Sequence, residues 1–130
     1  MESPNDSPVT LTFPAGTRNV ALARTLAVAM AARAHLTVDQ IEDVRLAVDE
    51  AVSQLVLDTQ IGAPVTCTFA EHNDGLSIDV TAPSLSGAPP DQTTFSWTVM
   101  TALVDSVNAH VRDGLAHIQL RISRPASVQV

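Results

Sequence analysis

The chain has 130 residues, the usual size of one domain and enough to bury a core without disulfides or metal. Its formal net charge of −7 would repel a nucleic-acid backbone, and aromatic residues for base stacking make up only 3% of it. The seven basic residues are all arginine, which excludes a Walker-type phosphate-binding lysine and a lysine Schiff base.

Cysteine usage and hydropathy predict the compartment. Cys67 is the single cysteine, and the chain shows neither a secretory-type start nor a long apolar run. We therefore expect a reduced, cytoplasmic, soluble protein without a membrane segment. Residues 1–8, with two prolines and two serines, are predicted to form a flexible tail, and residues 9–130 a single domain.

The first half of the chain predicts a strand followed by two helices. Alternation in VTLTFP, residues 9–14, indicates a strand with one buried face. Helical spacing from Asn19 to His35 predicts the first helix, and Thr37 with Gln40 forms a capping-box pattern that begins a second, which should end near Leu57 or Asp58. The predicted inner stripes are Leu22, Leu26, Ala29 and Met30 on the first helix, and Ile41, Val44, Val48, Ala51 and Leu55 on the second.

The second half predicts two hairpins separated by a loop and a helix. VTCTFA and LSIDVTA alternate, and HNDG between them supplies residues that adopt positive φ in a tight turn. Residues 83–92, with three prolines, are expected to form a long mobile loop, and helical spacing returns from Thr94 to Val107. A turn at residues 113–114 then places His110 opposite His117.

That last hairpin has one apolar and one polar face, as expected when helices cover only one side of a sheet. The element order therefore predicts an α/β two-layer sandwich with a mostly antiparallel sheet and helices on one face.

Two segments carry a family resemblance. TVDQIEDVRLAVDEAVSQLV resembles the N-box helix of the GHKL, or Bergerat-fold, ATPases, and in particular the RsbW-type anti-sigma-factor serine kinases. FSWTVMTALVDSV resembles the helix that follows the nucleotide lid of these proteins. The likeness extends along nearly the whole chain, is greatest to UsfX-like anti-sigma factors, and implies the histidine-kinase-like ATPase fold.

The resemblance implies roles for two residues of the second helix. Glu50 matches the general base that acts on a serine of a substrate protein, and Gln54 takes the place of an asparagine that holds magnesium on ATP. Positions i and i+4 share one face of a helix, so both side chains could reach one phosphate. The extra methylene of Gln54 is poorly suited to the near-ideal octahedral geometry that magnesium requires.

The remaining nucleotide motifs of the family are degenerate in this chain. TAPSLSG stands where the family has Asp-x-Gly-x-Gly, and Asp79 lies two or three residues earlier, on the polar face of its strand. Phe95 and Trp97 stand where close backbone approach to phosphate would need glycine. We therefore expect the binding of ATP and Mg²⁺ to be weak or lost and kinase activity to be impaired.

Partner binding does not depend on those motifs. Leu22-Ala23-Arg24 matches the first-helix position at which the family holds its sigma factor, and arginine is a frequent interface anchor. The expected partners are a sigma factor and a STAS-type anti-anti-sigma protein, and the family commonly forms homodimers. The alternatives are an active ATP-dependent serine kinase that phosphorylates an anti-anti-sigma factor, and an unrelated ligand in the cleft under residues 83–92.

Each candidate residue also has an ordinary structural interpretation. Glu50 can be a solvated helix carboxylate, Gln54 a surface amide and Arg24 an exposed helix former. Phe95 and Trp97 can anchor the core or the lid. His110 and His117 would supply two metal ligands without a third nearby, so a solvent-facing pair with no metal is expected.

Overall fold

The computed structural model describes residues 7–125, in which three helices lie against one face of a five-stranded sheet. Residues 1–6 of the predicted tail and residues 126–130 of the predicted domain lie outside the described residues. The strands are β1 (Val9–Pro14), β2 (Pro64–His72), β3 (Gly75–Pro83), β4 (Ser106–Arg112) and β5 (Leu115–Ser123), and the helices are α1 (Val20–Arg33), α2 (Val38–Val56) and α3 (Phe95–Leu103), with a 3-10 turn at Thr17–Asn19 before α1.

The sheet confirms the predicted two-layer architecture. Its strands run in the order β1-β2-β3-β5-β4, and every neighbouring pair is antiparallel. Alternate residues such as Phe69, Ile78 and Leu120 are buried towards the helices, whereas the opposite face carries polar side chains. The predicted pairing of His110 with His117 is also confirmed. None of the helices within residues 7–125 combines the length and the apolar character needed to cross a membrane.

The start of α2 is fixed by the capping box that the sequence predicts. The Thr37 hydroxyl accepts a hydrogen bond from the backbone N–H of Gln40 at 3.1 Å, and the Gln40 side-chain oxygen accepts one from the N–H of Thr37 at 3.0 Å. The Gln40 amide nitrogen also donates to the carbonyl of Ser123 at 2.8 Å, which ties α2 to the end of β5. The predicted inner stripe is confirmed from Val44 onwards, while Ile41 is partly buried.

The predicted inner stripe of α1 is correct at Met30, which is buried, and at Leu26, which packs against the core, but it is wrong at Leu22 and Ala29. The buried face of this helix contains Ala23, Ala27 and Met30, whereas Leu22 is 51% exposed and Ala29 is also exposed. The VALARTLAVAMAAR sequence is apolar around most of the helix, so residue spacing alone does not identify the inner side. Packing against α2 selects the alanines because small side chains allow two helices to approach closely.

The third helix is shorter than predicted. It ends at Leu103, because Val104 is extended with φ −131° and ψ 168°, and Val107 lies in β4 opposite Leu120. Val104 and Val107 fit the apolar pattern of either a helix or a strand, and β-branched residues favour strands. The ladder with β5 therefore decides their conformation.

The β2–β3 hairpin forms at the predicted place but for a different reason. None of residues 72–75 has a positive φ. Of the two hairpin turns, the one with positive φ is the β4–β5 turn, at Asp113 (53°) and Gly114 (79°). Gly75 is required because a Cβ atom at this position would lie 1.9 Å from the carbonyl oxygen of Ile122. A side chain there would separate β3 from β5.

Candidate functional site at the second helix

A polar stripe on α2 faces the segment that connects β3 to α3. Glu50, Gln54 and Asp58 follow one another at intervals of four residues, so they point to one side of α2 and of the turn that continues it. Each of them accepts or donates a hydrogen bond with residues 84–96, which we call the strap. The stripe and the strap together form the candidate site.

Glu50, for which the sequence resemblance predicts the role of general base, contacts a hydroxyl group of its own chain. Ser96, at the second position of α3, donates a hydrogen bond from its hydroxyl to the Glu50 carboxylate at 2.8 Å. The helix start is fixed nearby, because the Thr94 hydroxyl accepts from the backbone N–H of Trp97 and the Trp97 ring is largely buried. The Glu50 carboxylate is thus placed to accept a proton from a serine-type hydroxyl.

Gln54 turns its amide nitrogen, and not its oxygen, towards the strap. The nitrogen donates to the backbone carbonyl of Asp91 at 3.0 Å, and because a carbonyl only accepts hydrogen bonds, the orientation of the amide is defined. The amide oxygen is buried and has no hydrogen-bond partner among the described residues. A magnesium ligand at this position would have to present that oxygen to the cleft, so this arrangement does not fit magnesium coordination.

Asp58 is the third member of the stripe and was not identified from the sequence. Its carboxylate accepts from the hydroxyls of Ser84 and Ser86, each at 2.7 Å, and from the N–H of Ser86 at 3.0 Å. These donors, the Ser84 hydroxyl most strongly, lower the pKa of the Asp58 carboxyl below its usual range. The only signal in the sequence was the continued spacing of four residues after Glu50 and Gln54.

A cavity of about 270 Å³ lies between the end of α2 and the strap. Most of its wall surface is apolar and comes from Leu55, Leu57, Ala88, Pro89, Pro90 and Ala116. The polar residues that also line it are Gln54, Asp58, Ser86, Asp91 and Thr94. Neighbouring Phe95 is 82% exposed, so its ring does not hold the strap in place. Apolar walls supply few of the donors that a phosphate chain requires.

Asp79 is not brought to this site. It lies on the opposite face of the sheet from the helices, as its strand position predicts, and its carboxylate is 3.2 Å from Nδ1 of His117. The His117 ring stacks on His110 with a centroid separation of 4.5 Å. Within residues 7–125 no group of three His, Cys, Asp or Glu side chains is arranged to hold a metal ion.

Arg24 and Leu22 both lie at the surface of α1 but face different directions. Arg24 Nε is 3.6 Å from an Asp49 carboxylate oxygen, in an ion pair whose side chains are 38% and 32% exposed. Two residues along a helix correspond to a rotation of roughly 200°, so Leu22 points away from Arg24. The structure therefore places the predicted partner residues on two sides of α1.

Comparison with known proteins identifies similar chains. Residues 13–122 match the family model described as histidine kinase-like ATPase domain. The anti-sigma-F factor RsbW of Mycobacterium tuberculosis, from strains CDC 1551 / Oshkosh and H37Rv, is 32% identical over 99 residues, which cover 76% of this chain and 59% of the relative. The chain thus spans about three fifths of the length of these curated relatives.

A solved structure shows the same fold. The crystal structure of the RsbU and RsbW domains of Rv1364c from Mycobacterium tuberculosis superposes with a TM-score of 0.72 and covers 92% of this chain and 33% of that chain. Sequence identity in this comparison is 19%, so the likeness concerns the fold alone.

Proposed function

Because this chain belongs to the histidine kinase-like ATPase domain family, we propose that it is an anti-sigma-type regulatory protein that acts by binding other proteins. Its partners are a sigma factor, a STAS-type anti-anti-sigma protein, or both, and its ATP binding and kinase activity are weakened or lost. The similarity to anti-sigma-F factor RsbW supports the regulatory class.

The observation that carries the proposal is the occupation of the polar stripe by the chain itself. Glu50, Gln54 and Asp58 are all hydrogen-bonded to the strap, and the Gln54 oxygen is buried without a hydrogen-bond partner among the described residues. By the family resemblance, a kinase would need the Glu50 carboxylate as its base and the Gln54 side-chain oxygen for its metal. The arrangement therefore favours a protein that inhibits by binding, since sequestering a partner requires surface complementarity and no phosphotransfer.

The surface of α1 offers a contact for such a partner. Arg24 is held only by an exposed ion pair with Asp49, and exposed pairs of this kind contribute little to stability. A partner carboxylate can therefore take over the Arg24 guanidinium at little cost to the fold. Leu22 adds a half-exposed apolar side chain on the other side of the helix.

Affinity capture tests the proposal. The tagged protein is used to capture partners from a native extract, which are identified by mass spectrometry, and the affinity of each purified partner is then measured. We expect a sigma factor or its antagonist, bound at least tenfold more weakly by Arg24→Ala. Arg33→Ala is the control, since Arg33 is another arginine of the same helix and also pairs with a carboxylate, that of Glu71 at 3.1 Å. Recovery of neither partner class would refute the proposal.

An active serine kinase is the second candidate, and one observation favours it. The hydrogen bond from Ser96 demonstrates that a serine hydroxyl can reach the Glu50 carboxylate at 2.8 Å. Transfer of labelled phosphate from magnesium-ATP to a serine of a captured partner, abolished by Glu50→Ala, would establish the kinase and displace the binding-only proposal.

A further inference from the structure

The strap follows α2 as a continuous seam. The strap runs antiparallel to α2, so that later strap residues contact earlier stripe residues. Ser84 and Ser86 contact Asp58, Asp91 contacts Gln54, and Ser96 contacts Glu50. The three anchors span about 12 Å, two turns of helix. Successive anchors are therefore joined by the same stretch of backbone, and release of one removes support from the next.

The strap also contains hydrogen bonds between its own residues. The Ser84 hydroxyl accepts from the N–H of Gly87, and the Ser86 hydroxyl accepts from the N–H of Ala88. Asp91 accepts from both the N–H and the hydroxyl of Thr93. Local bonds of this kind favour a rigid segment that pivots at its ends over a chain that melts residue by residue.

Apolar burial contributes little to the closed position. Leu85 is 68% exposed, Phe95 is 82% exposed, and the strap prolines line the cavity. No side chain of residues 84–96 belongs to the core, and the first that does is Trp97, the third residue of α3. The seam consists of polar contacts with modest net free energies, which water can replace when they separate. The strap can therefore open without unfolding the sheet or α2.

From this seam we infer that residues 84–96 form a latch and that Ser96 is the internal occupant of Glu50. While the latch is closed, the Ser96 hydroxyl takes the hydrogen-bonding position that a hydroxyl from another protein would need. The partner can engage Glu50 only after Ser96 has left it. The statement about a partner rests on the second candidate under the proposed function, in which Glu50 receives a serine hydroxyl of a partner protein, whereas the latch itself is a property of the free chain.

A plain alternative is that Glu50 merely stabilises the start of α3, since a carboxylate is favourable at a helix N-terminus. This alternative predicts that each anchor acts alone. The latch predicts coupling: loss of Asp58 at one end must free Glu50 at the other.

Carboxyl labelling of the free chain distinguishes the latch from the alternative in which Glu50 only stabilises the start of α3. The full chain is treated with a carbodiimide and glycine ethyl ester, and the modification of Glu50 is measured by peptide mass spectrometry. For Ser96→Ala and for Asp58→Asn we expect Glu50 to be labelled at least fivefold faster than in the unaltered protein. Ser96→Thr, which keeps the hydroxyl, should be labelled at the original rate. Thr101→Ala is the matched control, because the Thr101 hydroxyl donates to the carbonyl of Thr98, within α3 and outside the strap.

Hydrogen exchange supplies a second readout. Ser96→Ala should accelerate exchange at residues 84–88, far along the chain from the substitution, while the melting temperature stays within a few degrees. If labelling of Glu50 rises only in Ser96→Ala, or exchange changes only beside the altered residue, the latch is overturned. Neither measurement uses a partner or a nucleotide. Failure to capture either a sigma factor or its antagonist would therefore refute the proposed function and leave the latch standing. Uncoupled anchors would refute the latch and leave the proposed function standing.

Discussion

The inner face and the polar stripe of α2 are held by different kinds of interaction. On the inner face Val44, Val48 and Ala51 are completely removed from solvent against the sheet and α1. On the stripe, Glu50 and Asp58 are held to the strap by hydrogen bonds at a partly exposed seam. Water molecules can replace a hydrogen bond that breaks, but they cannot replace the burial of an apolar side chain. The comparison indicates that stability of the fold and closure of the site are separable properties.

The largest expected effect tests the apolar side. Leu55→Ala removes a side chain that is only 2% exposed, so we expect the free energy of unfolding to fall by about 2–5 kcal/mol. Leu57→Ala is the control, since Leu57 caps the same helix at 87% exposure and its replacement should stay within about 0.5 kcal/mol. Urea denaturation followed by circular dichroism measures both. Equal losses would contradict the division between the two sides of α2.

The second prediction also tests the apolar side, in the sheet against which the inner face of α2 packs. Gly75→Ala should destabilise by about 1–3 kcal/mol, because its Cβ would lie 1.9 Å from the Ile122 carbonyl oxygen and β3 and β5 would have to separate. Gly16→Ala is the control: nothing lies within 4 Å of the added Cβ, and its backbone is extended at φ 168°. The same denaturation experiment applies, and a neutral Gly75→Ala would show that the strands separate without cost.

A pH titration tests the polar side. The pKa of Asp58 is lowered in the folded chain, chiefly by the Ser84 hydroxyl, so the ionised anchor stabilises the closed strap above the usual aspartate pKa. This contribution should disappear as the pH falls below that range and Asp58 becomes protonated. The amide resonance of Ser86, which donates to Asp58, reports the change by NMR. Asp58→Asn should remove that titration; a Ser86 resonance that still titrates in the variant would assign the effect to another group.

The smallest expected effect concerns the outer surface between α1 and α2. Arg24→Ala should change the free energy of unfolding by less than about 1 kcal/mol, because its pair with Asp49 is exposed and screened. Thermal melts at low and high salt measure this contribution. A larger loss would mean that Arg24 is a structural residue, and the interpretation of its effect on partner binding would have to change.

Local patterns in the sequence predicted the parts of the molecule that depend on local chemistry. The capping box at Thr37 and the pairing of His110 with His117 were predictable, because caps and two-residue turns are defined by neighbouring residues. The inner stripe of α2 was predictable because its polar and apolar faces differ. In α1 that contrast is missing, and the stripe assigned to Leu22 was wrong.

For the candidate site the same distinction applies. The sequence by itself determined that Glu50 and Gln54 share one face of a helix, since that follows from helical geometry alone. Only the tertiary structure decided that Ser96, Asp91 and Asp58 complete the seam, because these contacts join residues up to 46 positions apart. It also decided that Asp79, which the sequence already placed on the polar face of its strand, contacts His117 on β5. Contacts between distant segments depend on how strands and helices pack together, and no local pattern of residues encodes that packing.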